Sequence, residues 1–319
     1  MSEDRLHGDI SQLLTQRAEL LHQIRNFMAR KKILEIETPV LAHTTVSDPN
    51  IQSFTTTFHC PGNNSGEKMY LHTSPEYAMK RLLAMGSGPI YQITHVFRDT
   101  EAGRLHNPEF TMLEWYQPGF DHNQLMDQLD ELLQILGFEA SEKKNYVELF
   151  KDTVGINPHT ADLQSLQNIA SDNGLISTTD DKAALLDYIF SHMVCPGFNQ
   201  TRPLFVSEYP ACQCALARLT DSDPPVARRF ELFIRGIEIA NGYHELCDVH
   251  EQRRRFEKDI ELRRVYGKAI YPIDEKFLEA LAAGLPDCAG VSIGLDRLLM
   301  VMYGYTDISD VITFPVNKI

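Results

Sequence analysis

The chain has 319 residues, of which 43% are hydrophobic and 23% are charged, and these proportions are typical of a globular protein. Its net charge of −14 lowers the expectation of an extended nucleic-acid contact, although a local basic patch is compatible with that total. No apolar run of about 18 residues occurs and the N-terminus is polar, so the sequence predicts no membrane span and no signal segment, and a cytoplasmic location is expected.

The first half of the chain combines helical and extended patterns. Apolar residues recur at helical spacing from Ile10 to Lys31, which predicts an amphipathic helix. The segment Ile33 to Glu37 alternates like a strand and stops before Pro39, and the Gly- and Asn-rich segment Cys60 to Glu67 predicts a hairpin loop. The further predicted elements are a helix opened by Pro75 and reaching Ala84, strands over Ile90–Arg98 and Phe110–Gln117, and a helix over Asn123–Leu136.

The second half begins with two helical patterns in residues 151–200, around a polar turn near 171–181, which we interpret as a helical insertion. The elements predicted after it are strands over Pro203–Ser207, Phe230–Ile234 and Ile237–Ala240, helices over Val249–Tyr266 and Asp274–Ala283, and a strand over Gly290–Gly294 that runs into a helix from Leu295. Strands cluster and helices lie between hairpins, which favours an α+β fold with a largely antiparallel sheet in a single domain, residues 1–319.

The six cysteines form no CxxC pair and no Cys/His spacing typical of a metal site. Cys212 and Cys214 are the one close pair, and on a strand their side chains would lie on one face as packing thiols. We expect all six cysteines to be reduced.

Phosphate binding would have to depend on arginines, because the sequence contains neither a GxxxxGK[ST] loop nor a GxGxxG segment behind a strand. Arg98 ends the strand Val96-Phe97-Arg98, and Arg297 opens a helix behind Gly290–Gly294, where glycines allow a flat ligand to approach the backbone. An isolated arginine is usually a surface or salt-bridge residue. The pair in these two settings instead suggests guanidinium groups that bind phosphate.

Three segments resemble, in order, the motifs of class II aminoacyl-tRNA synthetases of the lysine branch. Residues Phe27–Pro39 resemble motif 1, residues Phe97–Tyr116 resemble motif 2, and residues Gly290–Arg297 resemble motif 3. The run His-Asn-Pro-Glu-Phe-Thr-Met-Leu-Glu-Trp-Tyr, which ends motif 2, is highly specific, whereas motifs 1 and 3 alone would be weak. The resemblance implies the class II antiparallel sheet flanked by helices, the use of ATP, and a homodimer formed through motif 1.

The resemblance also implies roles for matching residues around ATP. Arg98 would contact the α-phosphate and the substrate carboxylate, and Phe110 would stack on adenine. Glu231 and Glu238 match the acidic pair that coordinates Mg²⁺, and their spacing fits two adjoining strands, although a solvated strand edge is the alternative for both. The implied ATP contacts are Arg98, Asp99, Thr100, His106, Asn107, Phe110, Glu238, Ile239, Gly294 and Arg297, with Arg98 and Arg297 as the catalytic residues.

The amino-acid pocket implied by the resemblance is rich in carboxylates. A cationic side chain brought out of water needs charge-assisted partners, so these carboxylates favour lysine or a lysine isomer over aspartate. The implied substrate contacts are Ser74, Pro75, Glu76, Glu114, Tyr116, Glu245 and Ser292.

Three departures from lysyl-tRNA synthetases refine this expectation. Motif 1 begins within about thirty residues of the start, which leaves no room for an anticodon-binding barrel of ordinary domain size. Ser292 stands where glycine is usual, so it narrows the pocket floor and favours a substrate whose amine lies elsewhere than on the α-carbon. Thr100 stands where a glutamate usually touches adenine, and Asp99, Glu101 or a backbone contact would have to replace it.

The first two departures resemble the stand-alone paralogues of lysyl-tRNA synthetase that ligate (R)-β-lysine to elongation factor P. The run Leu285-Pro-Asp-Cys288 before motif 3 is similar to theirs as well. The resemblance implies transfer of (R)-β-lysine, or lysine, to a lysine of elongation factor P, with tRNA an improbable acceptor. The alternatives are a truncated lysyl-tRNA synthetase that acts on tRNA, an asparagine synthetase of class II type, which the glutamates disfavour, and a catalytically inactive regulatory paralogue.

Overall fold

The computed structural model describes residues 10–62, 66–174, 179–198 and 201–319. The α-helices there are α1 (Ile10–Arg30), α2 (Glu76–Ala84), α3 (His122–Ile135), α4 (Tyr146–Val154), α5 (Leu163–Asp172), α6 (Lys182–Ile189), α7 (Val249–Val265), α8 (Glu275–Gly284) and α9 (Leu295–Tyr303). The strands are β1 (Leu34–Glu35), β2 (Leu41–Ala42), β3 (Thr55–Phe58), β4 (Glu67–Leu71), β5 (Ile90–Phe97), β6 (Glu109–Pro118), β7 (Glu142–Asn145), β8 (Leu204–Pro210), β9 (Val226–Ile234), β10 (Ile237–His244) and β11 (Cys288–Gly294).

The chain divides into two compact units. The first comprises residues 1–119, 247–287 and 292–319, and the second comprises residues 120–246 and 288–291. The prediction of a single domain, with a helical insertion at 151–200, stays a prediction.

The first unit is built around the long hairpin of β5 and β6. These strands pair antiparallel from Ile90 opposite Tyr116 to Phe97 opposite Glu109, and β1 runs parallel to β5. A separate antiparallel sheet has the order β2-β4-β3. Helix α9 packs on β6, and α1 packs on α9. Each helix supplies an apolar face, so the buried side chains form one core between helix and sheet. This core includes Ile24, Phe27, Met28, Leu113, Trp115, Leu298 and Leu299.

The second unit is built around three neighbouring strands in which β9 pairs antiparallel with both β8 and β10. Strand β7 runs parallel to β8, α3 packs on β9 and β10, and α4 packs on β8. Aromatic side chains fill the core on one side of these strands, with Tyr146 stacked on Phe190 at 4.5 Å between ring centroids. Antiparallel pairs therefore dominate in both units, as expected from the sequence.

Several local predictions need correction. Cys212 lies in a 3₁₀ turn, Ala211–Gln213, and not in a strand, since β8 ends at Pro210, whose ring cannot donate to a ladder. All six cysteines are free thiols. Strand β7 was missed because its sequence Glu-Lys-Lys-Asn has no apolar alternation. The helical region begins at Tyr146, before residue 151, and its described residues form three α-helices followed by a π-helical and a 3₁₀ segment. The predicted hairpin loop and polar turn fall partly on residues 63–65 and 175–178, outside the described residues.

None of the helices in the described parts of the chain is long and apolar enough to cross a membrane.

Candidate active site

Arg98 follows the end of β5 and lies over the ring of Phe110 in β6. Its backbone N–H donates to the Pro108 carbonyl at 2.8 Å, which holds the base of the β5–β6 connection together. Its guanidinium carbon lies 5.2 Å from the Phe110 ring centroid, and Nε donates to the Thr73 carbonyl at 3.4 Å. The side chain is 25% exposed. The contact with the ring restricts the guanidinium, which also lies 3.9 Å from the Glu101 carboxylate, and its planar fork matches a carboxylate or phosphate.

The two residues after Arg98 form a strained corner. Thr100 has φ +68°, a left-handed conformation that is rare for a β-branched residue. Its N–H donates to the Asp99 carboxylate at 2.8 Å, and the Asp99 N–H donates to the Gln52 carbonyl at 2.8 Å. The corner is thus held from both sides. The Asp99 side chain is committed to this corner, and the Thr100 side chain is exposed.

The connection between β5 and β6 also meets the start of α9. Arg297 donates from Nη2 to Nε2 of His106 at 2.7 Å and from Nε to the Leu105 carbonyl at 3.1 Å. Gly294 is the N-cap residue of α9, and a Cβ built on it would meet no atom within 4 Å. The structure therefore brings together His106 and Arg297, two predicted ATP contacts, at the start of α9, where Gly294 is the N-cap residue. The helix N-terminus adds positive potential to the same point.

Asn107 is buried and its side-chain amide is already used. Its Nδ2 donates to the Glu109 carbonyl at 2.6 Å, and its Oδ1 accepts from the Val316 N–H at 3.0 Å. Asn107 therefore ties the loop to the C-terminal segment. Its predicted place in a nucleotide-binding loop is compatible with this role, which is to shape the loop.

The predicted amino-acid pocket in the first unit is a compact set of side chains from the start of α2 and from β6. The Ser74 hydroxyl accepts from the Glu76 N–H at 3.0 Å and donates to Glu114 Oε2 at 2.8 Å. The Tyr116 hydroxyl donates to Glu114 Oε1 at 2.5 Å. Pro75 is the N-cap residue of α2 and directs Glu76 into this set. Both oxygens of Glu114 are therefore bound, and the negative charge of Glu76 acts on this carboxyl group.

Burial governs the protonation of this pocket. Glu114 is 2% exposed, and burial raises its pKa to about 8. The negative charge of Glu76 raises the pKa of Glu114 further, whereas the hydroxyls of Tyr116 and Ser74 and the ammonium of Lys80 oppose the rise. A pocket that contains this buried carboxyl group favours a cation, because a bound ammonium would stabilise the ionised form of Glu114.

In the second unit, Glu231 and Glu238 lie on the two strands of a tight hairpin. The turn at Arg235–Gly236 has positive φ at both residues (+54° and +73°), as a two-residue hairpin turn requires. Glu231 pairs with Asn241 and Glu238 pairs with Phe233. Residues 231 and 233 point to one face of the strand, so both glutamates lie on that face, as the sequence spacing predicted.

The two glutamates differ in environment. Glu231 accepts from Tyr209 at 2.6 Å and forms an ion pair with Arg229, and both side chains of that pair are nearly buried. Burial raises the pKa of Glu231 to about 7, with Arg229 opposing the rise and Glu238 adding to it. Glu238 is exposed. Two carboxylates on one face, one fixed and one open to solvent, supply the hard oxygen donors that suit Mg²⁺.

The remaining predicted residues lie in β10, just beyond it and in β11. Ile239 is buried at a β-bulge between Glu238 and Ala240, where the backbone leaves the regular ladder. Glu245 is 1% exposed, and its N–H donates to the Cys288 carbonyl at 3.0 Å. Ser292 is half-buried in β11.

Three residues that pair with predicted site residues or lie beside them were missed from the sequence. Lys80 forms an ion pair with Glu76, and Arg229 forms one with Glu231. Both could have been found, because Lys80 follows Glu76 by one helical turn and Arg229 precedes Glu231 by two strand positions. Asp296 of motif 3 pairs with Arg17 of α1, which lies 279 residues away, and no sequence pattern indicates this contact.

Comparison with known proteins gives consistent matches over the whole chain. The family model described as tRNA synthetases class II (D, K and N) matches residues 4–318. The protein from Proteus mirabilis (strain HI4320) named elongation factor P–(R)-beta-lysine ligase is 47% identical over 309 residues, which cover 96% of this chain and 95% of the relative. The protein of the same name from Vibrio cholerae serotype O1 is 47% identical over 315 residues, covering 98% of this chain and 97% of the relative. That from Salmonella paratyphi B is 44% identical over 309 residues, covering 96% and 95%.

Proposed function

This chain belongs to the family of class II tRNA synthetases (D, K and N), and on that premise we propose that it is an ATP-dependent ligase for lysine-type amino acids. It activates (R)-β-lysine, or lysine, as an aminoacyl-adenylate and transfers it to a lysine side chain of elongation factor P. The observation that supports the proposal best is the buried Glu114 carboxylate, which Ser74 and Tyr116 hold by hydrogen bonds and on which the charge of Glu76 acts. The proposed acceptor is the one for which relatives that align over nearly their whole length are named.

In the first step, the substrate carboxylate attacks the α-phosphorus of ATP in line and pyrophosphate leaves. Arg98 binds the substrate carboxylate and the α-phosphate, and its stack on Phe110 keeps the guanidinium oriented for both. His106 and Arg297 bind the outer phosphates. Adenine stacks on Phe110, and Asp99 and Thr100 border the nucleotide, while Ile239 of the second unit stays a predicted ATP contact. Catalysis of this kind depends on positioning and charge stabilisation, so it needs no protein nucleophile.

Glu231 and Glu238 are the residues that would hold Mg²⁺, which would neutralise phosphate charge. The fit rests on the donor set, since one carboxylate is fixed by Tyr209 and Arg229 and the other is exposed on the same face.

In the second step, the lysine amine of the acceptor attacks the carbonyl of the adenylate. An amide bond forms, the bond to phosphate breaks, AMP leaves, and the attacking nitrogen loses a proton. Glu76, Glu114 and Tyr116 hold the side-chain amine of the substrate meanwhile, and Glu245 of the second unit stays a predicted substrate contact. Ser292 reduces the space near the α-carbon and so favours the β-isomer.

We also propose a homodimer formed through motif 1, a cytoplasmic location, and no role for tRNA as acceptor. The location follows from the proposed acceptor, because bacterial translation factors work in the cytoplasm.

Two assays test the proposal. ATP–pyrophosphate exchange with α-lysine and with both β-lysine enantiomers should be strongest with (R)-β-lysine. Incubation of the enzyme with labelled amino acid and either elongation factor P or tRNA should label the protein alone. Labelling of tRNA would support the truncated synthetase instead, and no exchange with any lysine isomer would support an inactive paralogue.

A further inference from the structure

Lys80 carries a buried positive charge next to the carboxylate pocket. It lies on α2, four residues after Glu76, and is 1% exposed. An ammonium removed from water carries a large desolvation cost unless it is paired. A methionine or leucine would fill the same space without that cost, so the presence of a lysine calls for an explanation beyond packing.

The contacts of Lys80 are directed to the pocket on one side and to a fixed aromatic ring on the other. Its Nζ donates to Glu76 Oε1 at 2.5 Å. The same Nζ lies 5.9 Å from the ring centroid of Phe277, within the range of a cation–π contact. Phe277 is buried and stacks on Tyr77 at 4.5 Å. Lys80 thus has little freedom to move, and it holds one oxygen of Glu76 in place.

Lys80 also acts on the second carboxylate. Glu114 accepts hydrogen bonds from Ser74, which lies just before α2, and from Tyr116 of its own strand. The charges of Glu76 and Lys80, both on α2, also act on Glu114. The two carboxylates together carry two negative charges when ionised. With both carboxylates ionised, the Lys80 ammonium cancels one of these charges, and the remaining net negative charge matches a single substrate ammonium.

We propose that Lys80 is a positioning residue that fixes the Glu76 carboxylate and supplies a permanent counter-charge, so that the pocket selects substrates presenting one ammonium to it. This proposal rests on the proposed lysine-type substrate. Without Lys80, Glu76 loses its anchor and the two carboxylates repel one another. Glu114 would then keep its proton to a higher pH, which weakens binding of a cation at neutral pH.

The first experiment is Lys80→Met, which keeps the length of the side chain and removes its charge. We expect the KM for (R)-β-lysine in pyrophosphate exchange to rise about tenfold or more and the KM for ATP to change less than about twofold. Lys80→Arg should restore much of the amino-acid KM. Lys68→Met, which removes an exposed lysine of the same unit that lies over Tyr70, is the matched control and should leave both constants unchanged.

A second readout is independent of catalysis. The side-chain carboxyl carbon of Glu114, labelled with ¹³C and assigned by its absence in Glu114→Gln, should titrate about one pH unit higher in Lys80→Met than in the native protein. If Lys80 only filled space and its charge did not act on Glu114, this titration would stay unchanged. If the native protein showed no exchange with any lysine isomer, the proposed function would fail, while this titration would still decide the role of Lys80.

If Lys80→Met does not fold, the double variant Glu76→Gln with Lys80→Met replaces it. Removing both partners of the ion pair leaves neither charge buried without the other. On the Glu76→Gln background, Lys80→Met should raise the amino-acid KM less than twofold, since Lys80 acts mainly through Glu76. A further tenfold rise there, or an unchanged KM and unchanged Glu114 titration in Lys80→Met, would overturn the proposal.

Discussion

Arg297 and His106 lie 191 residues apart in the chain and share a 2.7 Å hydrogen bond at the start of α9. The guanidinium is always a donor, so Nε2 of His106 is the acceptor in this contact. Because Arg297 also donates to the Leu105 carbonyl, one residue orients both the loop and its histidine. The two proposed ligands of the outer phosphates therefore form one cationic point at the start of α9, whereas Arg98 lies directly after β5 and over Phe110.

Arg98→Ala should abolish ATP–pyrophosphate exchange, because it removes both the contact to the α-phosphate and the orientation of the substrate carboxylate. A loss of at least about a thousandfold in kcat/KM is expected for a group that acts on the reacting atoms. Arg254→Ala, which removes an exposed arginine bonded to Glu251 on α7, is the control. Near-normal exchange in a folded Arg98→Ala protein would contradict the assignment.

Glu114→Gln should raise stability more at pH 8 than at pH 5. The native carboxyl has a pKa of about 8, against about 4.3 in an unfolded chain. Between those values the unfolded chain releases a proton that the folded chain keeps, so the free energy of unfolding falls as pH rises. Glutamine mimics the protonated form and removes this loss. Thermal unfolding of both proteins from pH 5 to pH 8 measures how much stability each one loses as the pH rises.

If the melting temperatures of the native and Glu114→Gln proteins changed equally with pH, this result would contradict the raised pKa of Glu114. The exposed Glu279→Gln on α8 is the control. The same Glu114→Gln variant should bind lysine-type substrates more weakly at pH 8, because its pocket cannot provide the second negative charge.

Glu238→Gln and Glu231→Gln should differ in stability although both should weaken Mg²⁺ dependence. The Mg²⁺ concentration for half-maximal exchange should rise about tenfold in each, equivalent to about 1.4 kcal/mol. Glu238 is exposed, so its substitution should leave the urea midpoint unchanged. Glu231→Gln leaves Arg229 nearly buried without its carboxylate partner, which should cost about 3 kcal/mol. Equal stability of the two variants would contradict this interpretation.

Arg17→Met should destabilise the first unit without touching the proposed substrate contacts. Arg17 pairs with Asp296, whose side chain is 3% exposed, and donates to the Val311 carbonyl at 3.0 Å. Leaving that carboxylate without its cation should cost about 3 kcal/mol. Arg25→Met on the same helix breaks an exposed pair with Glu35 and should cost less than about 1 kcal/mol. Urea unfolding compares the two, and equal costs would be contrary to expectation.

Ser292→Gly should shift substrate preference toward α-lysine, because it opens space at the floor of the pocket. The ratio of kcat/KM for α-lysine to that for (R)-β-lysine should rise about tenfold, the scale at which small groups discriminate substrates. Competition between the two isomers in pyrophosphate exchange measures this ratio directly. An unchanged ratio would remove Ser292 from the determinants of specificity.

Much of the fold was predictable because its elements have strong local patterns. The helix expected over Ile10–Lys31 is found at Ile10–Arg30, and the hairpin of β5 and β6 is found where the motif 2 residues placed it. The expected α+β fold of class II type is confirmed by the family match. Strand β7 and the turn at Cys212 were not predictable, because pairing with β8 decides the first and the end of a strand at Pro210 decides the second.

Sequence alone determined which residue types are available: arginines in place of a phosphate-binding loop, and glutamates at the positions where a cationic substrate is expected. It also determined the hairpin that puts Glu231 and Glu238 on one face. Two residues seven positions apart that flank a two-residue turn lie on the same face of the hairpin. The tertiary structure decided the charge state of these groups. The pKa of Glu114 depends on burial and on Glu76, Ser74 and Lys80 from another segment, and the pairing of Arg17 with Asp296 joins distant parts of the chain. Desolvation and Coulomb interactions depend on distances in space, and local sequence does not specify those distances.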